Sequence, residues 1–178
     1  MKTKSFLKIA AILGAVMAPN SDLYAKTYLT ANQAKHALFA DIAMKKVDVT
    51  LTKEQMKSIK KASSVRVNSN KINAHKTSDG GWFILDQVVG KHENIDIAVA
   101  LNANGEVRGV EILTYRETYG GQVRNHKWLA QFFGKNHREI LKLDNQIKNI
   151  SGATLSCRHV TDGVNRLVHS WDQILRHL

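Results

Sequence analysis

The sequence predicts an α+β protein: an antiparallel sheet with N-terminal helices and a long C-terminal amphipathic helix packed on it. Residues 82–113 contain three apolar, β-branched runs joined by short turns, which is typical of successive antiparallel strands. Two stretches before these runs and one long stretch after them have apolar residues at helical spacing. Because the strands are consecutive rather than alternating with helices, a parallel sheet is not expected.

The first part of the chain predicts two helices and two or three strands. Thr30 is placed to cap a helix that runs to about Met44, and residues 47–51 alternate as a strand does. Thr52 and Gln55 form a capping-box pattern, which predicts a second helix to about Ala62. A weak strand signal at 65–67 and a moderate one at 70–77 follow, and the turn residues 78–81 end the second.

The central part predicts the core of the sheet. Residues 82–89 form a strong strand pattern ended by Gly90, and residues 95–101 alternate cleanly. Asn102–Gly105 is a hairpin turn because its Asn-Gly pair accepts positive φ angles. Residues 107–113 form the return strand.

The last part predicts a loop, a short helix and the long C-terminal helix. Gly120 and Gly121 give residues 116–121 unusual backbone freedom. Four aromatic and apolar residues at 128–133 indicate a short helix in the core, ended by Gly134. Residues 135–148 are irregular with a possible short strand. The final run from Leu155 has one apolar face, made of Val160, Val164, Leu167, Val168, Trp171, Ile174 and Leu175.

The N-terminus and composition limit the class of protein. A basic start, an apolar run at 6–19 and a small residue at Ala25 are typical of a cleaved export signal, and the alternative is an uncleaved membrane anchor. The net charge is +11, and residues 1–25 carry three lysines and one aspartate, so +9 remains after cleavage. A nucleic-acid partner is not expected, because the basic residues are scattered, no nucleic-acid motif is present and the protein is predicted to be exported. An acidic redox partner or a phosphate-bearing ligand fits the positive charge better.

The single cysteine excludes several classes of site. Cys157 can form no intramolecular disulfide, zinc cluster or Cys-x-x-Cys-His haem attachment. It is interpreted as a small packing residue, with a reactive thiol as the alternative. No nucleophile triad, paired carboxylates or nicotinamide-binding glycine motif is present.

The most informative stretch lies at residues 149–160. It places three hydroxyls, Ser151, Thr154 and Ser156, around Gly152 and Ala153 at the start of the final helix. A helix start has unpaired N–H groups and a positive dipole end, and small residues allow close approach of a ligand. The stretch therefore indicates either a phosphate-sized anion site or an ordinary Ser/Thr helix cap.

The stretch Ser151-Gly152-Ala153-Thr154-Leu155-Ser156 resembles the flavin-attachment motif of the FMN-binding domain family. The loop Glu117-Thr118-Tyr119-Gly120-Gly121 and the following Trp128–Phe132 helix are similar to that family's Glu-Thr-Pro-Gly loop and its Trp…Phe helix. The resemblance covers about residues 80–170. Two positions depart from the pattern: Lys148 occupies the place of the motif's Asp, and Tyr119 replaces Pro.

The resemblance implies an exported flavoprotein that relays electrons, with FMN linked through its phosphate by a flavin transferase. It assigns the ester to Ser156, with hydroxyl contacts from Thr154 and Ser151, and places Gly152, Ala153, Glu117, Thr118 and Gly120 at the cofactor. Arg158 is a possible phosphate partner. We therefore expect a signal at 1–25, an N-terminal α/β extension at 26–75 and an FMN-binding domain at 76–178. The expected partners are redox proteins, some of them membrane-bound, and the expected location is periplasmic or otherwise exported.

Two alternatives remain open from the sequence. One is a flavin-dependent reductase subunit, and the other is a flavin-free binding module that retains the fold, motivated by Lys148 at the motif's Asp position. An electron carrier is favoured over a self-contained enzyme because the flavin supplies the chemistry and no separate catalytic set is visible.

Overall fold

The protein is described by a computed structural model over residues 26–178; the predicted export signal and its cleavage site at Ala25 lie outside these residues. The strands are β1 (Lys26–Thr27), β2 (Met44–Thr50), β3 (Lys71–Thr77), β4 (Trp82–Val89), β5 (Asn94–Leu101) and β6 (Val107–Tyr115). The helices are α1 (Ala31–Phe39), α2 (Lys53–Ser63), α3 (His126–Leu129) and α4 (Thr154–Gln173). Short 3₁₀ turns occupy Gly121–Arg124, Ala130–Phe132 and Leu175–His177.

The six strands form one antiparallel sheet in the order β1-β6-β5-β4-β3-β2. This confirms the predicted α+β class. The central hairpin turns at Asn102–Gly105 as predicted, with Gly105 at a φ of +75°. Two register shifts lie in the β5–β6 pair, one after Asp96 and one after Ala100.

Helices cover both faces of the sheet. On one face α2 and α4 enclose the larger core, to which α4 contributes most of its predicted apolar stripe. On the other face α1 packs through Ala34 and Phe39 against Phe83, Ala98 and Ala100. The small residues of β5 allow α1 to approach closely. Within residues 26–178 the structure has no helix that is both long and apolar enough to cross a membrane.

Both N-terminal helices begin as the sequence predicts. Thr30 and Thr52 each accept a hydrogen bond from the backbone N–H three residues on, and the glutamine at that position returns the bond in a capping box. The prediction that the first helix runs to about Met44 was wrong. The helix ends at Phe39 because Ala40 takes a φ of +51°, and Met44 already begins β2.

Two other sequence predictions differ from the structure. The weak strand at 65–67 does not form, and the short helix around Trp128 is split between α3 and a 3₁₀ turn. The two-residue strand β1 was not predicted; it extends the sheet by pairing with the end of β6. The predicted boundary between residues 75 and 76 stays a prediction; it lies within β3, which pairs with both β2 and β4.

Candidate functional site

The start of α4 carries the hydroxyl-rich motif, and no side chain caps it. The N-cap residue is Ala153, and no side-chain hydrogen bond closes the first turn. The hydroxyls of this stretch are therefore not used as the helix cap that the sequence left open as an alternative. Uncapped N–H groups at the positive end of a 20-residue helix suit an anion.

Gly152 leaves the backbone in front of this helix open. Its φ is +82°, and a Cβ built at this position would meet no atom within 4 Å. A left-handed conformation disfavours other residues here, and the open space gives a ligand access to the backbone. The donor set and the open approach fit a phosphate group.

The three hydroxyls of the motif have different surroundings. Ser151 is exposed, and Thr154 is half-buried and accepts a hydrogen bond from Asn149 Nδ2 at 3.1 Å. Ser156 is only 5% exposed, and its Oγ lies 2.8 Å from the Tyr115 hydroxyl. The residue that the resemblance assigns to the ester is thus the least accessible of the three.

Tyr115 fastens the Gly-rich loop to the first turn of α4. Its hydroxyl bonds to the carbonyl of Tyr119 and to Ser156 Oγ. A phenol has one proton to donate. If Tyr115 donates it to the Tyr119 carbonyl, Ser156 donates to Tyr115, and the serine proton is already engaged.

Gly120 completes this junction. It has a φ of +88°, and a Cβ at this position would lie 2.7 Å from the Tyr115 hydroxyl and 2.8 Å from Ser156 Oγ. No real Cβ approaches so closely, so only glycine lets the loop lie on the helix. The structure therefore brings together the two stretches that carry the resemblance.

Glu117 holds the β4–β5 turn through its carboxylate. Its Oε1 accepts hydrogen bonds from the backbone N–H groups of His92, at 2.6 Å, and Glu93, at 3.0 Å. Burial acts to raise the pKa of Glu117, but backbone hydrogen bonds from residues 91–93 outweigh it, and the pKa is lowered. Thr118 and Tyr119, the next two residues of the loop, are exposed.

The segment before the motif is held by the aromatic helix. Trp128 Nε1 donates to the Lys148 carbonyl at 2.7 Å, and Lys148 N–H donates to Gln131 Oε1 at 2.8 Å. The Lys148 side chain, at the departing motif position, is exposed. Trp128 is buried, as its interpretation as a core residue predicts, but it also positions the backbone that enters the motif.

Cys157 is fully buried beside the motif, and burial raises the pKa of its thiol. A buried thiol with a raised pKa has little nucleophilic thiolate at neutral pH. These features favour the packing interpretation over a reactive cysteine.

The sequence did not single out Tyr115, Asn149 or Trp128 as site residues. Asn149 directly precedes the motif, so its proximity was a usable signal. Tyr115 lies 41 residues before Ser156, and only the crossing of α4 over the end of β6 brings the two together. No sequence spacing could have indicated that contact.

Two large cavities of the described residues lie elsewhere. One, of about 900 Å³, lies on the α1 face of the sheet beside β2, and the other, of about 750 Å³, lies near the C-terminal end of α4. Neither is lined by the motif or by residues 117–121. The candidate site at the helix start is therefore separate from both cavities.

Comparisons with known proteins give one family match and two relatives. Residues 90–169 match the model of the FMN-binding domain. The chain is 28% identical over 89 residues to a component of the Na⁺-translocating ferredoxin:NAD⁺ oxidoreductase complex of Acetobacterium woodii, covering 45% of this chain and 43% of that protein. It is 33% identical over 104 residues to a component of an ion-translocating oxidoreductase complex of Shewanella piezotolerans, covering 51% and 49%. The chain spans about half the length of these curated relatives.

Proposed function

We propose that this chain, whose residues 90–169 are a domain of the FMN-binding domain family, carries FMN at the first turn of α4 and relays electrons between redox proteins. The observation that carries the proposal is the uncapped start of α4, where open backbone at Gly152 adjoins the loop fastened by Tyr115. The names of the two relatives, both components of ion-translocating oxidoreductase complexes, support an electron-transfer role.

The phosphate of FMN would be held by the N–H groups and dipole of α4. Arg158 lies one turn after Thr154 on the same side of the helix and is exposed, and Lys148 precedes the motif. Both add positive charge near a phosphate. Ser151, Gly152 and Ala153 would provide the close backbone approach, and Thr118 and Gly120 would border the rest of the cofactor.

The ester bond has two candidate hydroxyls in this proposal. The resemblance assigns it to Ser156, which is buried and engaged with Tyr115. Exposure favours Thr154, which is half-buried and lies directly at the open helix start. An attacking hydroxyl must be reached by the transferase, so modification at Ser156 would require the Gly120 loop to move away.

When bound, FMN supplies one- and two-electron redox chemistry. The chain's own contribution is to hold and orient the cofactor at an accessible helix start. Glu117 contributes indirectly, since its carboxylate fixes the turn between β4 and β5. This arrangement favours an electron carrier over the reductase subunit that the sequence left as an alternative.

The intact mass of protein co-expressed with a flavin transferase tests the proposal. We expect a mass increase equal to one FMN linked through its phosphate. The denatured protein should also show flavin fluorescence in a gel. Thr154→Ala and Ser156→Ala form a matched pair: the ester residue is the one whose loss abolishes the increment. An increment that survives in both variants contradicts the assignment to these two hydroxyls. A colourless wild-type protein with the transferase present contradicts the covalent proposal.

Lys148 gives a second test of attachment. Lys148→Asp restores the family pattern, and we expect it to raise flavin occupancy if the transferase reads this position. Unchanged occupancy would remove Lys148 as a limit on modification. A wild-type protein that remains flavin-free alongside a fully loaded Lys148→Asp variant would support the binding-module alternative.

The proposed location is outside the cytoplasm, after cleavage near Ala25. Its support is the sequence pattern of residues 1–25. N-terminal sequencing of the protein recovered from the periplasm should begin at or near Lys26. Recovery of the full-length chain from the membrane would indicate the uncleaved anchor instead.

A further inference from the structure

We infer that the surface around the first turn of α4 is a docking surface for an acidic protein domain. We call its exposed apolar side chains, Tyr119 and Leu155, the apolar centre, and its exposed cations, Arg124, Lys148 and Arg158, the basic rim. This inference deepens the proposed function, on which it rests, by naming the chemistry of the partner.

The apolar centre is exposed on a firmly held backbone. Tyr119 is 84% exposed and Leu155 is 44% exposed. The Tyr119 carbonyl is bonded by Tyr115, whose hydroxyl also contacts Ser156 in the same turn as Leu155. Exposed aromatic and aliphatic residues on backbone joined by these hydrogen bonds are typical of the centre of a protein interface.

The three cations of the basic rim lie on segments next to the first turn of α4. Lys148 is fixed through its backbone to Trp128 and Gln131, and Arg158 follows Leu155 by three residues on the helix surface. The Arg124 guanidinium lies 3.6 Å from the ring centre of Tyr28, next to Gly121. Among residues 26–178 none of these three cations forms a salt bridge.

Acidic residues are missing from the segments that form this surface. Residues 118–138 and 145–161 contain no aspartate or glutamate, although the chain has 15 in total. The same two segments contain six lysines and arginines: Arg124, Lys127, Lys135, Arg138, Lys148 and Arg158. Glu117, at the edge of the loop, is already bound to backbone N–H groups. Outside these segments, Asp162 interacts electrostatically with Arg158 and Glu139 pairs with Lys135 at 3.0 Å, so the positive charge of this surface is compensated only in part.

An acidic protein surface fits this arrangement better than a lipid surface. Complementary charges around an apolar centre steer association and fix orientation. A helix that lies in a membrane interface needs a broad apolar face toward the lipid. The apolar face of α4 is instead buried against the sheet, and at its start only Leu155 is exposed.

The test measures binding of two probes by calorimetry, with the protein both free of FMN and loaded with it. Flavodoxin is the acidic probe, and cytochrome c is the basic probe. We expect flavodoxin to bind the FMN-free form, and to bind the loaded form more weakly because the FMN phosphate offsets the charge of Lys148 and Arg158. Its Kd for the FMN-free form should rise about tenfold between 25 and 250 mM salt, because exposed charges are screened. We expect no measurable binding of cytochrome c.

Two charge-reversal variants distinguish an effect of the basic rim from an effect of the protein's net charge. Arg124→Glu/Lys148→Glu/Arg158→Glu should weaken flavodoxin binding about tenfold or more. Lys53→Glu/Lys57→Glu/Lys60→Glu makes the same charge change on exposed positions of α2. This variant should change the Kd for flavodoxin less than about twofold. Ser58 of α2 bonds to Gln173, which lies about 28 Å along α4 from Thr154 at 1.5 Å per residue. If the first triple variant does not fold, Lys148→Glu/Arg158→Glu spares the Arg124–Tyr28 contact.

Three outcomes overturn the docking inference. One is an equal loss in the rim and α2 variants, which would show an effect of net charge alone. Another is equal binding of cytochrome c. The third is binding to vesicles containing phosphatidylglycerol without binding to flavodoxin. Because the protein without FMN is measured as well, a failure of docking is distinguishable from a failure of flavin attachment.

Discussion

Gly120 is the residue at which the two halves of the site meet. Alanine there would place a methyl group within 3 Å of Tyr115 and Ser156, and the φ of +88° would add backbone strain. We expect Gly120→Ala to lower the free energy of unfolding by about 1–3 kcal/mol more than a substitution that meets only the strain. Denaturant unfolding of the flavin-free protein measures this difference.

Gly134→Ala is the matched control for the Gly120 substitution. Gly134 has a similar φ of +74°, but a Cβ there would meet no atom within 4 Å. It therefore reports the backbone strain without the close packing. Equal losses of stability in the two variants would contradict the close junction between the loop and α4.

Glu117 gives a pH-dependent prediction. Its pKa in the folded state is below the ordinary value of 4.5, so its ionised form stabilises the fold above that value and the stabilisation is lost as pH falls through the folded pKa. Glu117→Gln keeps the shape but removes the charge that the backbone N–H groups of His92 and Glu93 bind. We expect a loss of about 1–2 kcal/mol at pH 7 that shrinks below pH 4.5.

The measurement for Glu117 is denaturant unfolding at several pH values between 7 and 3. Glu93→Gln serves as the control, since Glu93 is an exposed neighbour and no hydrogen bond of its carboxylate is seen in residues 26–178. A gap between wild type and Glu117→Gln that stays constant across this range would contradict the role of the ionised carboxylate.

At the scale of single residues, the sequence predicts that the motif lies at a helix start but does not predict the surroundings of each side chain. Residue types and spacing place the hydroxyls at a helix start, as the structure has them. They do not separate Thr154 from Ser156, because burial depends on what lies across from the helix. The role of Glu117 could not be predicted either. Its position in the loop predicts a contact with the cofactor, whereas its carboxylate oxygen accepts a hydrogen bond from a turn 24 residues earlier.

At the scale of single elements, Gly163 allows α4 to pack closely on the sheet. A Cβ at Gly163 would lie 2.5 Å from Val88 Cγ1 and 3.3 Å from Ile97 Cδ1. Alanine favours helices over glycine by about 1 kcal/mol, so helix propensity alone predicts stabilisation. We expect the clash to dominate and Gly163→Ala to destabilise the protein by about 1–3 kcal/mol.

A double-mutant cycle checks the cause of the Gly163 effect. Val88→Ala removes the methyl groups that meet the new Cβ, so Gly163→Ala should cost less in the Val88→Ala background than in the wild type. Unfolding of the four proteins in denaturant gives the coupling energy. Additive losses, or a more stable Gly163→Ala, would contradict close packing of α4 on β4.

Element prediction from the sequence succeeds where local chemistry decides and fails where tertiary pairing decides. The two capping boxes and the turn at Asn102–Gly105 are local and are found in the structure. The end of α1 is different, because Met44 has helical propensity but pairs with Thr77 in the sheet. β1 has only two residues and exists through its pairing with β6, so its own sequence carries no strand signal.

At the scale of the whole molecule, the core joins the early and late parts of the chain. One hydrophobic cluster contains Val49, Leu51 and Ile59 together with Val164 and Leu167 of α4. The buried Asn165 side chain donates to the Ser63 carbonyl at 2.7 Å and accepts from Leu141 N–H at 3.0 Å. The helix that starts at the candidate site is therefore supported by residues outside the 90–169 match.

This continuity predicts that a fragment of residues 76–178 does not fold cooperatively by itself. It would lack α1, α2, β2 and most of β3, exposing the apolar surfaces of β4 and α4 that they cover. We expect broad, non-cooperative thermal unfolding by circular dichroism and poor dispersion of amide resonances. A fragment of residues 26–178 should unfold in one sharp transition. Sharp unfolding of the shorter fragment would instead support residues 76–178 as an independent domain preceded by a separable extension.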